Sequence, residues 1–469
     1  MRTATLVRDL HRESIRARSG TGVVSIVAIA SLTIGSAIAF LVAGGTWMLW
    51  ERAHHIEDAA PGLMELYNDY EDFLYVWFDL ALFACVFLIP ALFSLTAQAA
   101  ILGASGREKR LATLRLIGLS SRQVTRMTVL ETGFQALIGV FLGWLLSLLV
   151  APVFTHLSFQ ERQVQLEELH LPWWGYLTVA ATVVLLALSA AFVGMQRVRV
   201  SPLGVARRQM PPALKRWRLI LFIIGVVGGV IFLKGFSFSA AQGVIIGMLS
   251  MLFLIAMSIN FVAPYVLQVG AQIMANFPGT AHLVACQRIA TNSKAIWRRV
   301  MTMAFFGFLA GYLVGAPLGD DGLTLAMREE EHILTVFTDI STGALLTLIF
   351  GFVLTGISIF LGQASAAFED ASLGRSLSLM GVRRSFLSGV SLLEVLAPVV
   401  VVSLLGFMLG SPLAFIMFAS SDPGMDVDVT SRILMALSFL GAGWIVTLVA
   451  VVAVEPLRTY ALRSGGRRE

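Results

Sequence analysis

The residues with the clearest potential for chemistry are four carboxylates in or beside long apolar segments: Asp79, Glu131, Asp339 and Glu394. An ionisable group within the hydrocarbon region of a membrane is costly, so such residues are candidates for a functional role. Asp79 and Asp339 have nearly equivalent places in their segments. Two interpretations of this pair stay open: a role in a substrate path or in gating, or carboxylates solvated at the membrane interface.

Glu131 and Glu394 belong to a motif that occurs twice. Two triplets of the same residue types have the same spacing of 13 and then 12 residues and lie 263 residues apart: Gly118, Glu131 and Gly143, then Gly381, Glu394 and Gly406. In each copy an amphipathic segment precedes the first glycine, and a polar or basic turn follows it. The duplication predicts a pseudo-twofold molecule with two matching contact points on one side.

The segments before the first glycines, residues 107–117 and 370–380, each have an apolar helical face. These faces consist of Leu111, Leu114 and Ile117 in one copy, and of Leu373, Leu377 and Met380 in the other. Gly118 and Gly381 would end the two helices, where a positive φ is accessible to glycine. One interpretation is an ordinary juxtamembrane turn with basic residues facing lipid headgroups. Two copies at matched spacing favour the other, which is docking on a partner protein.

The two glutamates are placed by the sequence at the start of their apolar helices. There the helix dipole would favour a carboxylate. Each could pair with arginines of the preceding loop: Arg122 or Arg126 for Glu131, and Arg383 or Arg384 for Glu394. A capping role and a latch with a changeable partner both remain open.

Composition indicates a membrane protein. The chain is 57% hydrophobic and 13% charged, with a mean hydropathy of +0.81, whereas soluble domains are about 25% charged. Ten apolar segments approach or exceed the roughly 20 residues that cross a bilayer as a helix. They lie near 23–49, 74–103, 129–153, 173–195, 217–235, 240–269, 300–317, 334–363, 387–417 and 433–454.

These segments predict an all-α polytopic membrane protein with two pseudo-symmetric four-helix halves and a two-helix linker. The predicted domains are residues 1–210, 211–275 and 276–469.

With the N-terminus in the cytoplasm, 29 of the 34 Lys and Arg residues fall on the cytoplasmic side. This positive-inside bias predicts cytoplasmic N- and C-termini. It also accounts for the net charge of +5 without a nucleic-acid partner.

The first copy of the motif resembles a known family. The string Gly106-Arg-Glu-Lys-Arg-Leu-Ala-Thr-Leu-Arg-Leu-Ile-Gly118, followed by Gln123-Val and Glu131, is similar to the FtsX/MacB permease domain of ABC transporters. The second copy matches less closely, since Ser378 stands where the first has Arg115. Ten spans with two such domains look like the BceB-like permeases, but this chain lacks their large extracellular domain.

The resemblance implies a permease subunit in a bacterial plasma membrane. A partner ATPase, two copies per chain, would bind ATP and Mg and act on ten coupling residues: Arg107, Glu108, Leu111, Leu114, Arg115, Gly118, Leu373, Leu377, Met380 and Gly381. The chain has no G-x-x-x-x-G-K-[ST] phosphate loop, so we expect no ATPase activity, cofactor or metal site of its own.

The implied activity is mechanotransmission, acting on an amphiphile such as an antimicrobial peptide, a lipid or a hydrophobic drug. Membrane lipid is an expected partner, and a sensor kinase or an accessory lipoprotein is a further candidate. The alternative is a signalling or scaffold protein that transports nothing and drives a sensor kinase or a cell-wall hydrolase.

Overall fold

The structure is a computed structural model. It describes residues 21–55, 57, 63–64, 74–105, 121–198, 217, 220, 222–225, 227–228, 262–315, 331–369, 371–419 and 428–464. Long helices account for most of these residues. The β-structure among them is one antiparallel hairpin, in which β1 (Ser158–Phe159) pairs with β2 (Arg162–Gln163).

The helices, in chain order, are α1 (Thr21–His54), α2 (Tyr75–Ser105), α3 (Ser121–Val150), α4 (Trp173–Val198), α5 (Val262–Met274), α6 (Thr280–Tyr312), α7 (Glu331–Glu369), α8 (Ala371–Leu379), α9 (Arg384–Ala419), α10 (Val429–Ala453) and α11 (Glu455–Ser464). Two 3-10 helices, Ala151–His156 and Leu313–Gly315, extend α3 and α6.

Seven of these helices are long and apolar enough to cross a membrane: α1, α2, α3, α4, α7, α9 and α10. They confirm the prediction of an all-α polytopic membrane protein. The predicted span 300–317 falls mainly on the second part of α6, up to Gly315. The predicted spans 217–235 and 240–269 lie largely outside the described residues.

Helix α6 changes direction at Asn292, whose backbone is not helical (φ −116°, ψ 24°). The segment before this residue carries polar and basic side chains, and the segment after Arg299 is almost wholly apolar and buried. The change of direction therefore lies within the polar stretch of α6, about two turns before its apolar, buried part begins.

Helices α1–α4 pack against one another, as do α6, α7, α9 and α10. The two groups meet mainly where α2 packs against α7. At this contact the hydroxyls of Ser94 and Ser358 lie 2.8 Å apart, both buried. Leu95 of α2 joins Phe306, Leu354 and Val399 of the other group in one buried apolar cluster.

The two glycines that close the repeated motif make matching contacts. A Cβ on Gly143 of α3 would lie 2.7 Å from the Thr33 oxygen and 3.0 Å from the Ala37 nitrogen of α1. A Cβ on Gly406 of α9 would clash with the Ala304 oxygen of α6 and lie 2.9 Å from the nitrogen four residues later. Each glycine thus lets two backbones approach where a side chain would keep them apart.

Candidate functional site

Helix α8 forms most of the second predicted contact segment, residues 370–380. It is nine residues long and lies between the membrane-spanning helices α7 and α9. It packs against α11 and the end of α7. Three large apolar side chains at this segment remain exposed: Leu373 (46%), Leu379 (83%) and Met380 (71%). Leu377 is half-buried. Because the rest of the described chain leaves these side chains uncovered, they are available to a partner.

Gly381 ends this helix in the predicted conformation, with φ at +88°. The Val382 N–H donates to the Leu377 carbonyl at 3.1 Å, and the Gly381 N–H donates to the Ser378 carbonyl at 3.1 Å. These two bonds form a Schellman motif, which satisfies carbonyls that the helix leaves free. The end of α8 is therefore fixed by the backbone.

The first copy of the segment lies outside the described residues. This applies to Arg107, Glu108, Leu111, Leu114, Arg115 and Gly118. Their roles stay predictions, as do those of Leu373, Leu377, Met380 and Gly381.

Glu131 and Glu394 do not lie at helix starts. Helices α3 and α9 begin at residues 121 and 384, ten residues before each glutamate. The helix dipole acts only within about the first turn, so it does not stabilise these carboxylates, contrary to the sequence-based expectation.

Each glutamate instead faces its helical bundle. Glu131 is buried, with 8% of its surface exposed. Glu394 forms an ion pair with Arg288 of α6, at 3.4 Å between Oε2 and Nη1. This partner is on another helix and differs from Arg383 and Arg384, the two possible partners that the sequence indicates. The ion pair therefore connects α6 to α9.

At the opposite end of the bundle from α8, the β1–β2 hairpin has an unusual turn. Its two central residues, Gln160 and Glu161, have φ of 57° and 58°. Two positive φ angles characterise a type I′ turn, which normally uses Asn and Gly. Residues with larger side chains rarely adopt this conformation. Contacts outside the hairpin must therefore hold the turn in place.

Arg52, at the end of α1, provides several of these contacts. Its guanidinium donates to the Phe159 carbonyl at 2.8 Å and the Gln163 carbonyl at 3.1 Å. It also binds both carboxylate oxygens of Glu168, at 2.6 and 3.2 Å. Burial alone would raise the pKa of Glu168, but the bonds from Arg52 and from the Gln165 N–H, with the charge of Arg162, bring that pKa below its usual value. Arg52 therefore links α1, the hairpin and the following loop.

Asp339 of α7 makes the second set of contacts. Its Oδ2 accepts the Gln160 N–H at 2.7 Å and the Trp77 indole N–H at 2.8 Å. The residue is 7% exposed, so it is not a solvated carboxylate at the membrane surface. Thr335 adds a bond to Glu161 at 3.0 Å. Asp339 thus joins α7 to α2 and to the hairpin, whereas Asp79 is half-buried and takes no part in these bonds.

A cavity of about 460 Å³ lies next to the hairpin. Residues from both helix groups line it, from α1, α2, the end of α3, the end of α6 and α7. Leu157, Phe159 and Val164 of the hairpin region form the wall nearest that end. Trp77 also lines the cavity, so one donor to Asp339 is part of the cavity wall.

Sequence reasoning missed Arg52, Gln160 and Glu168 as members of one network. Arg52 is a lone basic residue beside an acidic stretch at the end of an apolar segment, and this contrast was the available signal. Gln160 acts through its backbone N–H, which side-chain chemistry does not reveal.

Comparison with known families identifies part of the chain. Residues 81–202, from α2 through α4, match the family model described as FtsX-like permease C-terminal. No curated protein matches the chain significantly. Members of this family are generally non-catalytic membrane subunits that work with an ABC ATPase. The matched region includes the first copy of the motif and the hairpin. The chain is therefore a multi-pass membrane protein with an FtsX-like permease domain, consistent with an FtsX/MacB-type permease.

Proposed function

We propose that this chain is the permease subunit of an ABC transporter and that a separate ATPase moves it through residues 107–117 and α8. The observation that carries the proposal is α8, a short helix of the duplicated motif with exposed Leu373, Leu379 and Met380. Such an exposed apolar group is typical of a protein-binding surface. The FtsX-like match gives the class of the partner, an ABC ATPase.

The packing supports a route for force. Helix α8 follows α7 after one intervening residue and precedes α9 by a short turn, so displacement of α8 acts on both helices. Helix α7 has 39 residues, a length of about 58 Å at 1.5 Å per residue. Near its other end, Asp339 binds the hairpin. Movement at α8 would therefore reach the hairpin and the cavity beside it.

The glutamates fit this route. Glu394 connects α9 to Arg288 of α6, so an ATPase-driven shift of α9 would change or break that ion pair. In this proposal Glu394 is a latch whose partner depends on the nucleotide state, and Glu131 is its counterpart in α3.

Two contact segments in one chain fit two copies of the ATPase, which would bind ATP and Mg. The distribution of 29 of 34 basic residues supports a cytoplasmic location for both termini and for α8 in a bacterial cell. The hairpin and cavity then lie toward the outer leaflet. An apolar cavity there supports action on an amphiphile, such as an antimicrobial peptide, a lipid or a hydrophobic drug. It also favours transport over a role in driving only a sensor kinase or a cell-wall hydrolase.

Affinity purification of the tagged chain from its native membrane tests this proposal. We expect an ATPase with a phosphate-binding loop to co-purify at two copies per chain. The variant Leu379→Glu/Met380→Glu should lose most of that ATPase, because carboxylates in a desolvated apolar contact are strongly unfavourable.

Phe277→Glu is the matched control, since Phe277 is an exposed apolar residue (60%) outside the repeat. It should retain the ATPase. Recovery of the intact chain without any ATPase, or equal retention by the α8 variant and the control, would contradict the proposal.

A further inference from the structure

The cavity beside the hairpin has an elongated apolar wall. On α2 the lining runs from residue 77 to 88, and on α7 from 340 to 350. At 1.5 Å per residue these stretches are about 15 Å long, close to half of the roughly 30 Å hydrocarbon core of a bilayer. The cavity thus extends over about the depth of one leaflet.

The three aliphatic hydroxyls in this wall already use their protons within their own helices. Thr46 donates to the Val42 carbonyl at 2.8 Å, Ser147 to the Trp144 carbonyl at 2.7 Å, and Thr347 to the Gly343 carbonyl at 2.8 Å. The Trp77 indole N–H is bound to Asp339. These groups therefore have no donor left for a polar ligand, and the other lining side chains are apolar except for His170, Tyr176 and Tyr312.

A volume of 460 Å³ is within the range of about 300–1,000 Å³ that ligand pockets occupy. Apolar cavities exclude water but bind apolar molecules. An unfilled cavity also loses the dispersion contacts that its walls would otherwise make. Within a bilayer, the apolar group available at this depth is a hydrocarbon chain.

We propose that this cavity binds one alkyl chain of a membrane amphiphile, with the β1–β2 hairpin closing the end nearest the membrane surface. This inference rests on the proposed function, whose substrate class it narrows to amphiphiles with an alkyl chain. Phe159 lines the cavity while its carbonyl binds Arg52, and the adjacent Gln160 N–H binds Asp339. The same bonds that hold the strained turn therefore hold the end of the cavity.

Two glycines make the proposal testable. Gly45 of α1 and Gly343 of α7 both line the cavity, and a Cβ added at either meets no atom within 4 Å. The variant Gly45→Leu/Gly343→Leu fills the cavity while replacing a residue that is disfavoured in helices. Gly441→Leu is the matched control, since Gly441 of α10 also has open space around its Cβ but does not line the cavity.

The probe is phosphatidylcholine with a diazirine in one acyl chain, in vesicles that contain the purified full-length chain. After irradiation, mass spectrometry quantifies labelling of the cavity-lining positions within residues 77–88 and 340–350, leaving out the exposed Leu82, Val86 and Ile349, which do not line the cavity. We expect labelling of both stretches in the wild-type chain and in Gly441→Leu. The cavity-filling variant should lose it by about tenfold or more, since even one methylene changes binding in an apolar pocket by such a factor.

Residues 137–145 of α3, whose Leu137 and Phe141 are more than half exposed, serve as the internal standard for contact with bulk lipid. Their labelling should be equal in all three proteins, and all three should keep a cooperative thermal transition. The proposal would be overturned if the cavity stretches were not labelled in the wild type. It would also be overturned if the filling variant kept their labelling. Because no ATPase is present, this outcome is independent of the co-purification result.

Discussion

The two helix groups are built on one pattern but are held together differently. In the second group, Gly307 and Gly311 of α6 face Gly406 and Gly410 of α9, and a Cβ on any of the four would clash with backbone of the other helix. In the first group, Gly139 and Gly143 of α3 face residues of α1 that carry side chains, such as Leu32 and Ser36. Both pairs therefore bring two backbones together, but α6 and α9 approach more closely than α1 and α3, because both helices of the second pair contribute glycines to the contact.

The first group, in which α1 and α3 pack less closely, also borders most of the cavity and carries the hairpin. There the connections are polar and depend on individual side chains, chiefly Arg52 and Asp339. The difference suggests a division of labour. The glycine-packed parts of α6 and α9 stay together, and changes between these two helices are confined to the end with Arg288 and Glu394, while the first group adapts around the cavity.

The largest effect is expected at Gly406. The variant Gly406→Ala places a methyl group against the Ala304 carbonyl, and the two helices must separate to accommodate it. We expect a loss of about 3 kcal/mol, the upper part of the range for overpacking, and a loss of about 1–2 kcal/mol for Gly143→Ala. Thermal unfolding in the same detergent measures both.

Gly389→Ala in α9 is the control for this experiment, because a Cβ there meets no atom within 4 Å. It should be neutral or slightly stabilising, as expected for Gly→Ala in a helix. Equal losses for Gly406→Ala and Gly143→Ala would remove the proposed difference between the two groups.

A smaller effect is expected for Asp339, on which the hairpin depends. Asp339→Ala leaves the Gln160 and Trp77 N–H groups without their acceptor in a buried place, a loss of about 2 kcal/mol. Asp79→Ala should change the free energy of unfolding by less than about 0.5 kcal/mol, as is usual outside such networks. Limited proteolysis within residues 157–165 reports whether the hairpin is released.

Hairpin cleavage that is equally slow in the wild type and in Asp339→Ala would show that Asp339 does not hold the turn. Faster cleavage in Asp79→Ala would show that Asp79 also holds the hairpin. The two aspartates would then have similar roles, in line with their nearly equivalent places in the sequence.

Much of the fold follows from the sequence, since long apolar segments at a bilayer's length leave few alternatives to helices. The repeat of Gly143 and Gly406 was visible as spacing, and the structure gives each the same contact. The hairpin was not visible. Gln160 and Glu161 give no turn signal, and their positive φ angles depend on contacts with residues far away in the chain. Asp339 is recognisable in the sequence as an ionisable group in an apolar segment, but its partners are set by tertiary packing.

The smallest effect concerns pH and separates the two groups by their chemistry. The pKa of Glu168 lies below its ordinary value of 4.5 because Arg52 binds its ionised form. A lowered pKa in the folded state means that the stabilisation is present above pH 4.5 and is lost as the pH falls through the folded-state value.

Hairpin proteolysis by an acid-stable protease should therefore accelerate below pH 4.5. In Glu168→Gln it should be faster at neutral pH and lack this acid-dependent rise, because the titrating group is gone. Cleavage next to the glycine-packed part of α6 and α9 should not follow this profile, since that contact is between backbones. If the wild type and Glu168→Gln show the same pH profile, the Arg52–Glu168 pair does not hold the hairpin, and the first group's attachment must rest on Asp339.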